Sequence, residues 1–92
     1  MAKVKVRLIG ILAEETGVKE LEIEVKNLQE LLNKLRNRIS GADKIFEGSR
    51  PRSYISIMIN GAMVDISSNN QYDNIVLNDH DLVELVPIAG GG

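Results

Sequence analysis

The sequence predicts an α+β domain in which one β-sheet is covered on one face by a single main helix. Three observations predict it. Two segments near the start alternate apolar and charged residues with period two, the next segment repeats apolar residues at helical spacing, and a later run of isoleucines ends at an Asn-Gly pair. A lone apolar helix stripe needs a lone sheet face, and two layers are the smallest arrangement that supplies one.

From Lys3 to Leu8, Val4, Val6 and Leu8 fall on one side and Lys3, Lys5 and Arg7 on the other, the pattern of a half-buried strand. It recurs from Glu20 to Lys26, with Leu21, Ile23 and Val25 opposed by Glu20, Glu22, Glu24 and Lys26. Pairing the two sets a basic row beside an acidic one, and opposite charges across a strand pair contribute about 0.2–1 kcal/mol each. The charges therefore predict an N-terminal hairpin. Its connection, Gly10 to Val18, is longer than a tight turn, carries Ile11-Leu12-Ala13, ends at Gly17 and has room for a helical turn.

Leu28, Leu31, Leu32, Leu35 and Ile39 then share one helical stripe. Asn27 precedes the run and Glu30 stands three residues on, a variant of the capping box, while Ser40-Gly41 provides the stop. The polar side carries Lys34, Arg36 and Arg38 and reads as a solvated surface. Gly41 to Ser53, with Gly48 and Pro51, reads as an exposed loop from which Ile45-Phe46 tucks back onto the core. Tyr54 to Ile59 is a strand with Ile55, Ile57 and Ile59 inward. Asn60-Gly61 marks a tight hairpin turn, because both residues tolerate positive φ, so Ala62 to Ile66 should return antiparallel. After the polar stretch Ser67 to Gln71, Tyr72 to Leu77 has no clear period, and Asn78-Asp79-His80-Asp81 makes a turn. The last strand begins near Leu82 and includes Val83, Leu85 and Val86; Pro87 removes a ladder donor and discourages continuation.

Composition bounds what such a domain can do. The chain has 92 residues, enough for one core, and its 43% hydrophobic and 26% charged residues suit a globular domain. A net charge of −2 provides no broad positive field for nucleic acid or an anionic membrane. No apolar run approaches the roughly 20 residues that span a bilayer, and Met1-Ala2-Lys3 leads straight into the first strand, so a cytoplasmic address is expected. The absence of cysteine removes disulfides, thiolate metal ligands and thiol nucleophiles from consideration. No Walker loop, nucleophile triad or zinc cluster occurs. The chain is therefore expected to be no enzyme by itself.

The order of hairpin, helix, hairpin, irregular connection and final strand is that of ubiquitin-like β-grasp folds, in which the first and last strands pair in parallel within a mixed sheet. A ferredoxin-like fold would need a second long helix, which Ser67 to Leu77 does not offer. Residues 1–87 are expected to form the domain and 88–92 a flexible, glycine-rich tail. Gly90, Gly91 and Gly92 bury no side chain and cost the most backbone entropy to order, so their use lies outside the core. An end without side chains can thread a narrow channel in another protein. Its carboxylate, a poor electrophile, would become reactive as an acyl-adenylate, open to a sulfur donor or to a thiol and then an amine.

The segment Asp79-His80-Asp81-Leu82-Val83-Glu84-Leu85-Val86-Pro87-Ile88-Ala89-Gly90-Gly91-Gly92 resembles the end of the MoaD/ThiS family of ubiquitin-like sulfur carriers, and is most similar to the small subunits of molybdopterin synthase. The resemblance extends over nearly the whole chain, including the opening strand, the Leu-rich helix and Ile59-Asn60-Gly61. His80 stands where such proteins often have glycine, and Gly90 adds a third glycine upstream of the pair. The resemblance implies that Gly92 carries sulfur as a thiocarboxylate and that Pro87, Ile88, Ala89, Gly90 and Gly91 enter a partner with it. It also implies an E1-like adenylating enzyme that uses ATP, a molybdopterin synthase large subunit as the catalytic partner, and no permanently bound cofactor or metal. The loop Gly41 to Ser53 favours this type over shorter thiamine-type carriers. The alternative with the same activation is a protein modifier linked to lysines; a bare interaction module would leave the glycines without a cause.

Simpler structural roles are expected elsewhere. His80 between aspartates reads as a solvated turn residue rather than a base, and Asp79 and Asp81 as turn formers rather than metal ligands. Met58 and Met63 read as packing residues, and the face bearing Lys5, Arg7 and Glu22 as solvated.

Overall fold

The computed structural model describes residues 1–48, 50–64 and 72–88. Strand β1 (Ala2–Leu8), helix α1 (Ile11–Thr16), strand β2 (Glu20–Val25) and helix α2 (Leu28–Arg38) come first. A 3-10 turn (Ala42–Lys44) leads into a short hairpin of β3 (Phe46–Glu47) and β4 (Arg50–Pro51). Strands β5 (Ile55–Ile59) and β6 (Ala62–Met63), a second 3-10 turn (Tyr72–Asn74) and β7 (Leu82–Pro87) complete the order. The main sheet runs β2-β1-β7-β5-β6, with β1 and β7 parallel and the other pairs antiparallel. It is the ubiquitin-like β-grasp, a mixed sheet packed on one main helix.

Strand alternation sends Val4, Val6, Leu8, Ile23, Val25, Ile55, Ile57, Val83 and Leu85 to one face, where all are buried. Leu28, Leu31, Leu32 and Leu35 of α2, followed by Ile39, close over them. The helix starts where its orphan donors find acceptors. Asn27 Oδ1 accepts from Glu30 N at 2.8 Å, and Glu30 Oε1 accepts from Lys26 N at 2.8 Å, one residue ahead of the usual capping-box partner. Leu28 N donates to Ile75 O at 3.0 Å, and Leu77 N to Lys26 O at 3.1 Å. The aperiodic segment Tyr72 to Leu77 thus caps the helix through its backbone, with Tyr72 and Leu77 themselves buried. Burial raises the Tyr72 phenol above its ordinary pKa, so it stays neutral.

On the other face the predicted charge rows meet in register, Lys3 opposite Glu24, Lys5 opposite Glu22 and Arg7 opposite Glu20. Lys5 and Arg7, however, both turn to the carboxylate of Glu20. Lys5 reaches diagonally to Glu20 at 3.2 Å, Arg7 reaches Glu20 at 3.4 Å, and Arg7 also approaches Glu84 of β7 at 3.7 Å. The Lys5 hydrogen bond, helped by the Arg7 charge, lowers the Glu20 pKa below its ordinary value of 4.5.

The basic side of α2 is solvent-accessible, as expected, and it also bonds backbone carbonyls of neighbouring segments. Leu8 N donates to Lys19 O at 2.8 Å, which fixes the phase of the hairpin and leaves the carbonyls of Glu22 and Glu24 on the outer edge of β2. Lys34 Nζ donates to Glu24 O at 2.9 Å and an Arg38 guanidinium nitrogen to Glu22 O at 3.3 Å, while Arg36 donates to Gly48 O at 2.8 Å. The loop after α2 is also more ordered than its composition suggests. Ile45 and Phe46 are buried as expected, Arg52 N donates to Ile45 O at 2.8 Å, and Arg52 Nε to Asp43 O at 2.7 Å. The returning strand expected over 62–66 is paired at Ala62 and Met63, and Val64 N continues it to Ile57 O at 2.8 Å; 65–66 lie outside the described residues.

The Asn60-Gly61 turn has φ of 51° and 86°, as a type I′ hairpin requires. Asn60 does more than turn. Its Nδ2 donates to Asp81 Oδ1 at 2.9 Å, and its Oδ1 accepts from Leu82 N at 2.9 Å, while Asp81 Oδ2 accepts from Asn78 N at 2.8 Å. This clasp fastens the β5–β6 hairpin to the start of β7.

Three outcomes are expected. Leu35→Ala empties part of the fully buried layer and should cost about 2–5 kcal/mol in denaturant unfolding. Asn60→Gly keeps the positive φ but loses the clasp, at about 1–2 kcal/mol; Asn60→Ala should lose about 1 kcal/mol more, because alanine resists that conformation. Glu20 has a folded pKa below its unfolded value, so its contribution is present above pH 4.5 and fades as pH falls through the lowered folded pKa. The thermal-midpoint advantage of wild type over Glu20→Gln should accordingly be seen at neutral pH and vanish in acid.

Candidate functional site

The chain leaves the fold from the middle of the sheet. β7 lies between β1 and β5, with Val83 and Leu85 buried in the core, so the strand is held from both sides. Pro87 is opposite Ile55 and is the last strand residue. It supplies no N–H, as expected, yet the pairing runs one residue further, for Ile88 N donates to Tyr54 O at 2.7 Å. The point of exit is therefore fixed at Pro87–Ile88.

Gly10 closes the other flank. Its φ of 59° and ψ of −128° form a conformation that L side chains rarely adopt, and it turns the chain from β1 into α1. A Cβ placed there would lie 3.8 Å from Pro87 Cγ, so the β1–α1 turn packs directly beside the exit. Ile9 N donates to Leu85 O at 3.1 Å and anchors the same corner. Around it stand three apolar side chains from separate elements: Ile11, 52% exposed, at the start of α1; Tyr54, 44% exposed, before β5; and Ile88, 49% exposed. The Tyr54 hydroxyl donates to Lys44 O at 2.7 Å, which ties the ring to the 3-10 turn.

Of the residues expected to work with a partner, Pro87 and Ile88 are thus placed at the exit, whereas Ala89, Gly90, Gly91 and Gly92 lie outside the described residues. The side-chain candidates near β7 have structural duties. His80 adopts φ of 72° and its N–H donates to Lys3 O at 3.0 Å. Asp79 Oδ1 accepts from Lys3 N at 2.8 Å, and both oxygens of Asp81 are engaged in the clasp. Among the described residues no three His, Cys, Asp or Glu side chains gather to hold a metal ion, and no helix is long and apolar enough to cross a membrane.

The outer sheet face is divided. β1 and β2 present the charged rows, whereas Met58 and Met63 stand opposite each other across β5–β6, with Met63 exposed. Sequence reasoning missed Ile11 and Tyr54 as surface residues at the exit. Ile11 sits in the apolar run Ile11-Leu12-Ala13, and the parallel pairing of β1 with β7 brings it there.

Known proteins share this arrangement. The ThiS family model matches residues 6–92. Small archaeal modifier protein 1 from Methanosarcina acetivorans is 28% identical, with TM-score 0.79 over 100% of this chain and 98% of that one. Sulfolobus solfataricus Urm1 is 32% identical, with TM-score 0.69 over 91% and 99%. The Helicobacter pylori complex of subunits 1 and 2 of molybdopterin-converting factor contains a chain 26% identical, with TM-score 0.65 over 98% and 99%. No curated protein matches this chain significantly. A family match over residues 6–92, joined to a mixed sheet whose central last strand ends at Pro87, makes this chain a member of the ThiS family of ubiquitin-like sulfur carriers.

Proposed function

We propose that the carboxylate of Gly92 is the working group of this chain and carries sulfur as a thiocarboxylate for molybdopterin assembly. The observation that carries the reading is the fixed exit at Pro87–Ile88 followed by Ala89-Gly90-Gly91-Gly92, a segment with almost no side chains leading off a rigid central strand. An E1-like adenylating partner supplies the ATP site. The carboxylate attacks the α-phosphorus of ATP and pyrophosphate leaves; a sulfide-equivalent nucleophile then attacks the acyl carbon and AMP leaves. The likeness to a chain of a molybdopterin-converting factor complex supports a larger synthase subunit as the recipient, with catalysis on that subunit. The reading places the carrier in the cytoplasm.

A second reading, a protein modifier joined through Gly92 to lysines, is favoured by the likeness to an archaeal modifier protein and to Urm1. Activation is common to both; the acceptor distinguishes them.

Incubation with the adenylating enzyme, ATP and a sulfur donor should shift the intact mass by replacement of one oxygen with sulfur, and a chain stopped at Ala89 should never shift. Gly91→Val should slow the conversion at least about tenfold, since a clash of about 1.4 kcal/mol at the narrowest point suffices. Adding the large subunit and pterin precursor should then regenerate the carboxylate with formation of dithiolene. Recovery of lysine conjugates in its place would transfer the function to the second reading, and a wild-type mass that never changes would refute both.

A further inference from the structure

We propose that the β6 margin of the main sheet pairs with the β6 margin of a second copy of this chain, antiparallel and with Met63 on the two-fold axis. The main sheet has two margins, β2 and β6, and they differ. At β2 the carbonyls of Glu24 and Glu22 are occupied by Lys34 and Arg38. At β6 the backbone is open. Val64 N donates to Ile57 O at 2.8 Å, so Val64 bonds inward to β5, and by the alternation of an antiparallel pair Met63 turns its own N–H and C=O outward. Among the described residues no hydrogen bond reaches those two groups. Ala62 and Met63 are both exposed, Met63 to 70%, and neither a charge nor a proline within 62–64 guards the strand.

Three properties of this margin select a second copy as its occupant. The first is self-complementarity. Turned about Met63, the strand sets Ala62 opposite Val64 and Met63 opposite Met63, and the outward N–H and C=O of each Met63 meet those of the other in two reciprocal bonds. Met58 already stands opposite Met63 on the outer face, so the pairing extends this couple into a row of four methionines, whose flexible thioethers pack against one another readily. The second is charge. Residues 62–64 carry none, so the copies meet without repulsion, whereas the same pairing at β2 would set Glu20, Glu22 and Glu24 against like charges. The third is closure. Joining two five-stranded sheets at β6 leaves β2 at both ends, each with its Lys34 and Arg38 bonds in place, so growth stops at two. The axis also sets β7 of one copy antiparallel to β7 of the other. The two exits at Pro87 then point to opposite ends of the joined sheet, and both tails stay available, whatever Gly92 carries.

The strand is short, so the association is weak, with a dissociation constant of about 0.1–1 mM. Sedimentation equilibrium of the full chain up to about 1 mM should show a monomer–dimer equilibrium in that range and nothing larger. Met63→Lys should weaken it at least about tenfold, because the variant sets two charges face to face, and Val76→Ser, which alters an exposed apolar residue elsewhere, should leave it unchanged. Amide hydrogen exchange reads the register: between about 20 µM and 1 mM the Met63 amide should slow about two- to fourfold, in step with the dimer fraction. A chain that stays monomeric at about 1 mM overturns the proposal. So does association that leaves Met63 exchange unchanged, since another surface would then be responsible, and so does growth beyond the dimer, which closure forbids. Should Met63→Lys fail to fold, wild-type exchange at Met63 decides alone.

Discussion

The parallel pairing of β1 with β7 is the constraint on which the rest of the molecule depends. It joins the first and last strands in register from Lys5 opposite Leu82 to Leu8 opposite Leu85; β2 attaches to β1, β5 attaches to β7, and β6 follows on β5. Parallel strands need a long crossover, and here nearly the whole chain is that crossover. It contributes α2 to the core in which Val6, Leu8, Val83 and Leu85 are buried, and it places the β1–α1 turn beside Pro87. A closing strand at an edge would leave the chain end free to swing. Because β7 is central, the exit has one position relative to the sheet.

Much of this architecture is legible in the sequence, and the legible parts share a physical basis. Period-two alternation in β1 and β2 and the leucine stripe of α2 are properties of single elements facing one core, so local spacing reveals them. Asn60-Gly61 is legible for the same reason, since its two positive φ values are demanded by the turn itself. The parallel pairing is different. It came from resemblance to known folds, because no local pattern distinguishes a parallel neighbour from an antiparallel one.

What could not be read depends on distances across the fold. The acidic and basic rows foretold the pairing of β1 with β2, but the side chains choose their partners by reach, and Lys5 passes over Glu22 to meet Glu20. That the wetted basic side of α2 also bonds carbonyls is not legible in the helix itself, because those carbonyls belong to another element. Ile11 and Tyr54 are 43 positions apart, with no shared period to associate them; the fold alone brings them to the end of the sheet where β7 finishes. The candidate site was accordingly visible as a terminal motif, whereas the surface around its root was not.

The Lys34 and Arg38 bonds to the backbone of β2 bear on how such a protein persists in a crowded cell. An open strand margin is a template on which copies can stack into fibrils, and a two-layer fold with one helix has little else to shield it. By occupying Glu24 O and Glu22 O, the helix closes that margin with groups that remain wetted and charged. Molecules can then accumulate without zipping together along this side.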